Sequence, residues 1–297
     1  MTDAAIDATV DEILAGGADS AAIKLNGVSL LKGVDYDVAS KTDTASGATT
    51  VTITGKGFFS GSKSVTYFNS ANVTVAAQTY TGQALTPAPT VKLGSTTLKK
   101  GTDYTVAYKS NTNAGTATIT ITGKGNYTGT AKGTFKVNAA VPTVKLAAQS
   151  KAYTGKALAY SGKVTTASKG KVTYKYYSDK ACKKAVKAAK VKAAGTYYVK
   201  ATVAASGNYK KATSAVAKFK ITKVAISKAK FASIKAQKYT GKAIKPAVTV
   251  KYKNIKLKKG TDYTVTYKNN KKKGTAKVVI KGKGSFKASK TLTFKIK

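Results

Sequence analysis

The 297-residue sequence contains no histidine, no tryptophan and no arginine, a single cysteine, and only eleven acidic residues against 53 lysines. Each shortage closes off a class of chemistry. A Ser–His–Asp or Cys–His nucleophile needs an imidazole base, so both are excluded. Zinc sites draw on histidine and clustered cysteine, and Cys182 alone supplies neither a site nor an internal disulfide. Without arginine the chain lacks the bidentate donor that specific DNA readers favour. No run of about 18 apolar residues occurs, so no segment reads as a membrane-spanning helix. The acidic start MTDAAIDATVDEILAGG lacks a basic region and a cleavage pattern, so an exported form is expected to carry its leader outside this chain.

The acids that exist are unevenly placed. Eight of the eleven lie in residues 1–69, and the last three are Asp103, Asp179 and Asp262. Lysines run the other way, with five in 1–69, seven in 70–138, nineteen in 139–223 and twenty-two in 224–297. Such a field attracts polyanions and repels basic surfaces.

Internal repeats organise the chain. The octapeptide KKGTDYTV occurs at 99–106 and again at 258–265, with a weaker copy, KGVDYDV, around Asp35. Asp35, Asp103 and Asp262 are each followed 12 residues later by Gly47, Gly115 and Gly274, and 20 residues later by Gly55, Gly123 and Gly282 of GKGFF, GKGNYTG and GKGSF. A divergent segment over 139–223 opens with AYTGKALAY, as its neighbours open with TYTGQALTP and KYTGKAIKP, and closes with AGTYYVKATVAASGNY and AKFKI. The expected organisation is a partial module at 1–69 with an acidic helix over 2–15, a repeat at 70–138, a divergent module at 139–223 and a lysine-rich repeat at 224–297.

Within a repeat the period is two. Tyr104, Val106 and Tyr108 share one face, as do Ala117, Ile119 and Ile121, with threonines on the other. This alternation predicts short antiparallel strands joined by turns, about six or seven per module, in all-β, tandem small β-sandwich modules. The exception is the N-terminus, where Ile6, Val10, Ile13 and Leu14 recur at helical spacing, Asp3 stands as a cap and Gly16-Gly17 as a stop. Asp3, Asp7, Asp11 and Glu12 then form the wet face of that helix rather than a calcium site.

In TAKVVIK at 275–281, Ala276, Val278 and Ile280 keep the inward positions, while Lys277 and Lys281 replace Thr118 and Thr122 of the earlier copy. Lysine therefore replaces solvent-facing residues and leaves the core pattern alone, which also discourages edge-to-edge pairing.

The segments YTGKAIKPAVTVKY, LKKGTDYTVTYKNN, GTAKVVIKGKGSF and LTFKIK resemble the tandem repeats of large Gram-positive bacterial surface proteins. The divergent segment, with GKVTYKYYSDKAC, resembles bacterial Ig-like modules often grouped as mostly-β-grasp (MBG-type) repeats. The resemblance spans about residues 21–297. It implies Ig-like or MBG-type modules in an extracellular, cell-surface or cell-wall stalk or adhesin segment, with an unknown host or surface ligand, no catalytic residues and no cofactor. No sorting motif for covalent wall attachment is present.

Other readings are weighed on the residues themselves. A glycosidase needs two carboxyl groups roughly 5–10 Å apart, whereas Asp103, Asp179 and Asp262 fall in separate modules. GKGNYTG has the glycines of a phosphate loop but precedes a strand-like segment, so it reads as a turn. Cys182 beside Lys183 and Lys184 has no base partner and reads as a passive thiol. The eighteen tyrosines suit either sugar-stacking platforms or core filling, and their fixed repeat positions favour the core, with hydroxyls at its edge. A spontaneous Lys–Asn crosslink would need a buried acid, for which Asp103 or Asp262 are the candidates. The lysine clusters at Lys183, Lys184, Lys271, Lys272, Lys273, Lys277, Lys281 and Lys283 are the expected contacts for anionic cell-wall polymers such as teichoic acids. The alternative is a nucleic-acid or general polyanion binder, whose affinity would fall steeply with salt.

Overall fold

Alternation decides the architecture. In the computed structural model, which describes residues 23–25, 28–67 and 71–297, most inward positions named above are buried, Val106 and Tyr108 are half-buried, and the residues between them are exposed or half-buried. The chain is all-β; among the described residues the helical pieces are two three-residue turns, Ala188–Lys190 and Ile226–Lys228. The helix expected over 2–15 lies outside the described residues. The chain divides into two compact units, residues 1–140 and 141–297.

In the first unit, β1 (Tyr36–Thr42), β2 (Thr49–Gly55) and β3 (Ser62–Tyr67) form an antiparallel sheet. Its inner face buries Tyr36, Ile53 and Val65 against Ile23 and Leu30. A second sandwich follows. Its smaller sheet contains β4 (Asn72–Thr74), β6 (Thr90–Leu93) and β7 (Thr96–Thr97), while β5 (Gln78–Thr79) joins the larger one. That larger sheet has the order β8 (Tyr104–Lys109), β9 (Gly115–Gly123), β11 (Thr130–Asn138), β5, the last pair parallel. Val91 and Leu93 of the small sheet meet Tyr104, Ile119, Ile121 and Ala131 of the large one. Ile119 and Ile121 are wholly buried, and each such side chain contributes about 1.5–3 kcal/mol of burial. A second sheet, not a helix, covers the large sheet, so the arrangement is a sandwich.

The second unit repeats the plan. β12 (Gln149–Ala152), β13 (Val172–Tyr177), β14 (Gly195–Val203) and β15 (Ala217–Thr222) form its first large sheet, with β12 parallel to β15. The chain continues through β16 (Val224–Ala225) into a small sheet of β17 (Lys230–Phe231), β18 (Val250–Tyr252) and β19 (Ile255–Lys256). The last large sheet is β20 (Tyr263–Lys268), β21 (Gly274–Gly282) and β23 (Ser289–Ile296), preceded in sequence by the short β22 (Phe286–Lys287).

The GKGNYTG and GKGSF stretches turn out to be joints. β10 (Tyr127–Thr128) pairs in parallel with the end of β3, Tyr127 opposite Thr66. β22 pairs in the same way with β16, Phe286 opposite Val224. In the second unit the joint is also a core: Phe286 lies edge-on to Tyr153 and Tyr252, with ring centroids 5.4 and 5.3 Å away. Ser285 accepts the Ala194 N–H at 2.9 Å.

The octapeptide aspartate has a structural task. Asp103 Oδ2 accepts the Lys99 N–H at 2.7 Å while the Asp103 N–H donates to the Lys99 carbonyl at 2.8 Å. Asp262 does the same with Lys258 at 2.8 and 2.8 Å, and Asp35 with Leu31 at 2.8 and 2.8 Å. The intervening Gly33, Gly101 and Gly260 sit at φ near +87° to +88°, a left-handed conformation that side chains disfavour. The aspartate carbonyl then accepts the N–H of the lysine in GKG: Lys56 at 2.9 Å, Lys124 at 2.9 Å, Lys283 at 2.8 Å. One residue thus ties strand entry to the end of the neighbouring strand.

The YTG-x-A-x-x-P signature is explained likewise. Asn111 Nδ2 donates to the Leu85 carbonyl at 2.9 Å, and the Tyr108 hydroxyl to the Pro87 carbonyl at 2.6 Å. Asn270 and Tyr267 repeat both bonds onto Ile244 and Pro246, at 2.8 and 2.6 Å. An otherwise irregular segment is clamped to the end of β8 or β20.

Asp103→Ala and Asp262→Ala remove a charge-assisted bond to backbone, so each is expected to cost about 1–2 kcal/mol. Denaturant unfolding of the full chain checks this; Asp→Asn, which keeps an acceptor, should recover part of the loss, and an unchanged midpoint for Asp→Ala would refute the assignment.

Candidate functional site

All but one of the described acids accept backbone N–H groups. Asp179 accepts the N–H groups of Lys183 and Lys184 at 3.0 and 2.6 Å. Those bonds, that from Lys183 first, and then the charge of Lys184 hold its carboxyl below the ordinary aspartate range. Asp43 is held low by the N–H and hydroxyl of Ser46. Asp37 pairs with Lys56 at 3.1 Å. Asp103 and Asp262 are half-exposed, and the buried polar side chains among the described residues are the serines 168, 214 and 285. The buried acid that a Lys–Asn crosslink requires is therefore not at Asp103 or Asp262. Cys182 sits half-buried at φ +58° in the turn shaped by Asp179. Among the described residues no three metal-ligating side chains gather, and no helix is long and apolar enough to cross a membrane.

What the sheets present outward is more distinctive. The same cross-strand row recurs on the solvent face of all four large sheets. It reads Lys41–Thr50–Thr66 in the first and Lys109–Thr118–Thr134 in the second. It becomes Tyr177–Tyr198–Lys218 in the third and Lys268–Lys277–Thr293 in the fourth. Hydroxyls dominate the first face, where Thr50 and Thr66 lie 3.0 Å apart and Thr52 and Ser64 2.8 Å apart.

On the fourth sheet Lys277 and Lys281 stand on the exposed face of β21, as the alternation requires. Lys271, Lys272 and Lys273 occupy the loop joining β20 to β21, at the same end as the Lys268–Lys277 pair, and line an open cleft with Asn269 and Asn270. Register therefore gathers Lys268, Lys271–Lys273 and Lys277. Lys281 lies about 13 Å further along the strand at 3.3 Å per residue. Lys283 sits in the turn beyond; its equivalents Lys56 and Lys124 donate their ammonium groups to the Gly33 and Gly101 carbonyls at 3.2 and 2.8 Å. Lys183 and Lys184 are exposed in the turn after β13, on another sheet. Sequence reading missed Lys268 and Lys295; the latter shares the face and bonds Thr275 at 2.7 Å. Their partners come from register, not spacing.

Like charges placed directly opposite destabilise a sheet. Lys268 faces Lys277 and Lys175 faces Lys200, and among the described residues no carboxylate pairs with any of the four. Folding alone does not call for these pairs.

Most tyrosines serve the core, as expected. Burial pushes the Tyr108 and Tyr267 hydroxyls above their ordinary 10.0, helped by the nearby Tyr104 and Tyr263. Both donate to proline carbonyls, a bond that phenolate cannot make. Tyr177 and Tyr198 depart from this pattern: they lie half-buried on the outward face of their sheet.

No family model matches the chain, and no curated protein matches it. Among solved structures it is similar to the protocadherin gammaB7 EC3-6 cis-dimer (12% identity, 90% of this chain and 94% of that chain, TM-score 0.24). It is similar to Drosophila N-cadherin EC1-4 (12% identity, 90% and 94%, TM-score 0.24). A further match is protocadherin gamma B7 extracellular cadherin domains 1-4 (10% identity, 89% and 92%, TM-score 0.22). At TM-scores this low the likeness carries no conclusion about this chain.

In alkaline titration Tyr108 and Tyr267 should ionise at higher pH in the folded chain than in urea. Above the ordinary 10.0 the unfolded chain then binds fewer protons, so this part of the stability falls as pH rises. Tyrosine NMR shifts followed in the native chain and the Tyr108→Phe and Tyr267→Phe variants check it; coincident folded and unfolded titrations for these two residues would refute it.

Proposed function

We propose that the chain is a non-catalytic stalk or adhesin spacer on the outside of a bacterial cell, organised as the four modules 1–69, 70–138, 139–223 and 224–297. Its lysine-rich residues 141–297 grip anionic cell-wall polymers such as teichoic acids. The observation that carries this reading is where lysine goes. Residues 141–297 hold 41 lysines and two aspartates, and both aspartates are engaged by backbone N–H groups in their turns. The core positions and joints keep their apolar residues while the solvent-facing threonines of β9 give way to Lys277 and Lys281 in β21.

A surface of this kind binds by releasing counterions from its partner, with modest energy per lysine and strong salt dependence. It recognises charge density more than sequence. The absence of arginine speaks against base-specific recognition of DNA.

The test replaces Lys271, Lys272 and Lys273 by Gln, and Lys277 and Lys281 by Thr, the residue at the matching places Thr118 and Thr122. Binding of the full chain to purified Gram-positive walls and to soluble teichoic acid should weaken. The slope of log K against log salt should fall by about 0.7 for each contacting lysine lost. Native binding that is absent at low salt, or unchanged in the variant, refutes the reading. Duplex DNA that displaces teichoic acid at equal charge would favour the general polyanion reading instead.

A further inference from the structure

The third large sheet carries on its outward face a pair of half-buried tyrosines that belong to neither core cluster of the second unit. Tyr177 and Tyr198 lie directly opposite each other on β13 and β14, so their Cβ atoms are about 5 Å apart. Their strand neighbours point the other way: Tyr176 and Val199 are buried, and the Tyr197 hydroxyl bonds the Ala193 carbonyl. Among the described residues no group bonds the hydroxyl of Tyr177 or Tyr198. At the matching places the other sheets have Lys41 and Thr50, Lys109 and Thr118, or Lys268 and Lys277. Strand pairing there plainly does not need an aromatic ring.

Lysines surround the pair. Lys175 and Lys200 form the next row on the same face, about 7 Å along the strands. Lys218 pairs with Tyr198 and Lys220 with Thr196 on the far side. Lys180 and Lys218 flank a shallow depression of about 240 Å³ that Tyr198 and Val216 also line. None of these ammonium groups has a carboxylate partner among the described residues. Asp179, the nearest acid in sequence, is occupied by the Lys183 and Lys184 N–H groups.

Two neighbouring outward tyrosines whose phenol hydroxyls bond no described residue, fringed by cations, are complementary to a pyranose ring bearing an acidic group. The ring's C–H face stacks on tyrosine, its hydroxyls meet the phenols, and its carboxylate or phosphate meets lysine. We infer that the Tyr177–Tyr198 platform is a binding site for an acidic polysaccharide. The site lies on an open sheet face rather than in the basic groove that single-stranded nucleic acid binders use. This inference rests on the polyanion reading above and adds to it a preference for sugar rings over bare charge.

The experiment compares two probes on the full chain: polygalacturonate, which has charge and rings, and inorganic polyphosphate, which has charge alone. Tyr177→Thr/Tyr198→Thr installs at position 198 the residue that the first two sheets carry there, and its melting curve should match the native one. Its affinity for polygalacturonate should fall about ten-fold, in line with two lost stacking contacts, while polyphosphate binding stays unchanged. Lys175→Gln/Lys200→Gln/Lys218→Gln/Lys220→Gln should weaken both probes. On the native chain, polygalacturonate should also shield Tyr177 and Tyr198 from nitration, read by mass spectrometry, where polyphosphate does not. Failure of the native chain to bind either probe at low salt overturns the polyanion reading and the platform together. Binding of both probes with no effect of the tyrosine variant and no shielding overturns the platform alone. So does tighter, tyrosine-dependent binding of oligothymidylate.

Discussion

The fold depends on a carboxylate accepting a backbone N–H four residues before it. In Asp35, Asp103 and Asp262 this bond closes a turn around a left-handed glycine and launches a strand whose first residue, Tyr36, Tyr104 or Tyr263, is buried. Side chains alternate along a strand, so a turn one residue longer or shorter would present the opposite face to the core. The turn fixes the phase, and the phase decides which residues reach water. A chain with few carboxylates therefore keeps one at this place in three sheets.

With the phase held, the two faces are free to change separately. The inner face stays small and apolar: Ala117, Ile119 and Ile121 in one copy, Ala276, Val278 and Ile280 in another, all wholly buried. The outer face passes from hydroxyls to a tyrosine–lysine patch and then to lysine. Charge accumulates without disturbing packing because an exposed lysine keeps its ammonium group in water. The cost appears where register sets lysine against lysine, as at Lys268–Lys277 and Lys175–Lys200. Such pairs are tolerable in a sheet stabilised by its inner face, and each concentrates positive charge on the outer face of its own sheet.

Much of this was legible in the residues. Period-two alternation in YTVAY and TATITIT marked the inward sets, and the spacing from aspartate to glycines marked the repeats. The outward placement of Lys277 and Lys281 followed from the same pattern. Other features were not legible. GKGNYTG looked like a turn and is one, but its Tyr127, like Phe286 of GKGSF, also joins one sandwich to the next. Nothing in the sequence marks Lys124 apart from other lysines, yet its ammonium group bonds the Gly101 carbonyl. Tyr177 and Tyr198 looked like core residues because most tyrosines here are.

The sequence by itself determined the strand alternation, the turn chemistry and the drift toward lysine, since these depend on residues within a few positions of one another. Tertiary structure decided which distant residues stand side by side. Tyr177 meets Tyr198, and Tyr198 meets Lys218, across separations of about twenty residues that no local rule relates. Cross-strand register is the sum of every turn and bulge between two strands, so a surface row exists only once the whole sheet has formed.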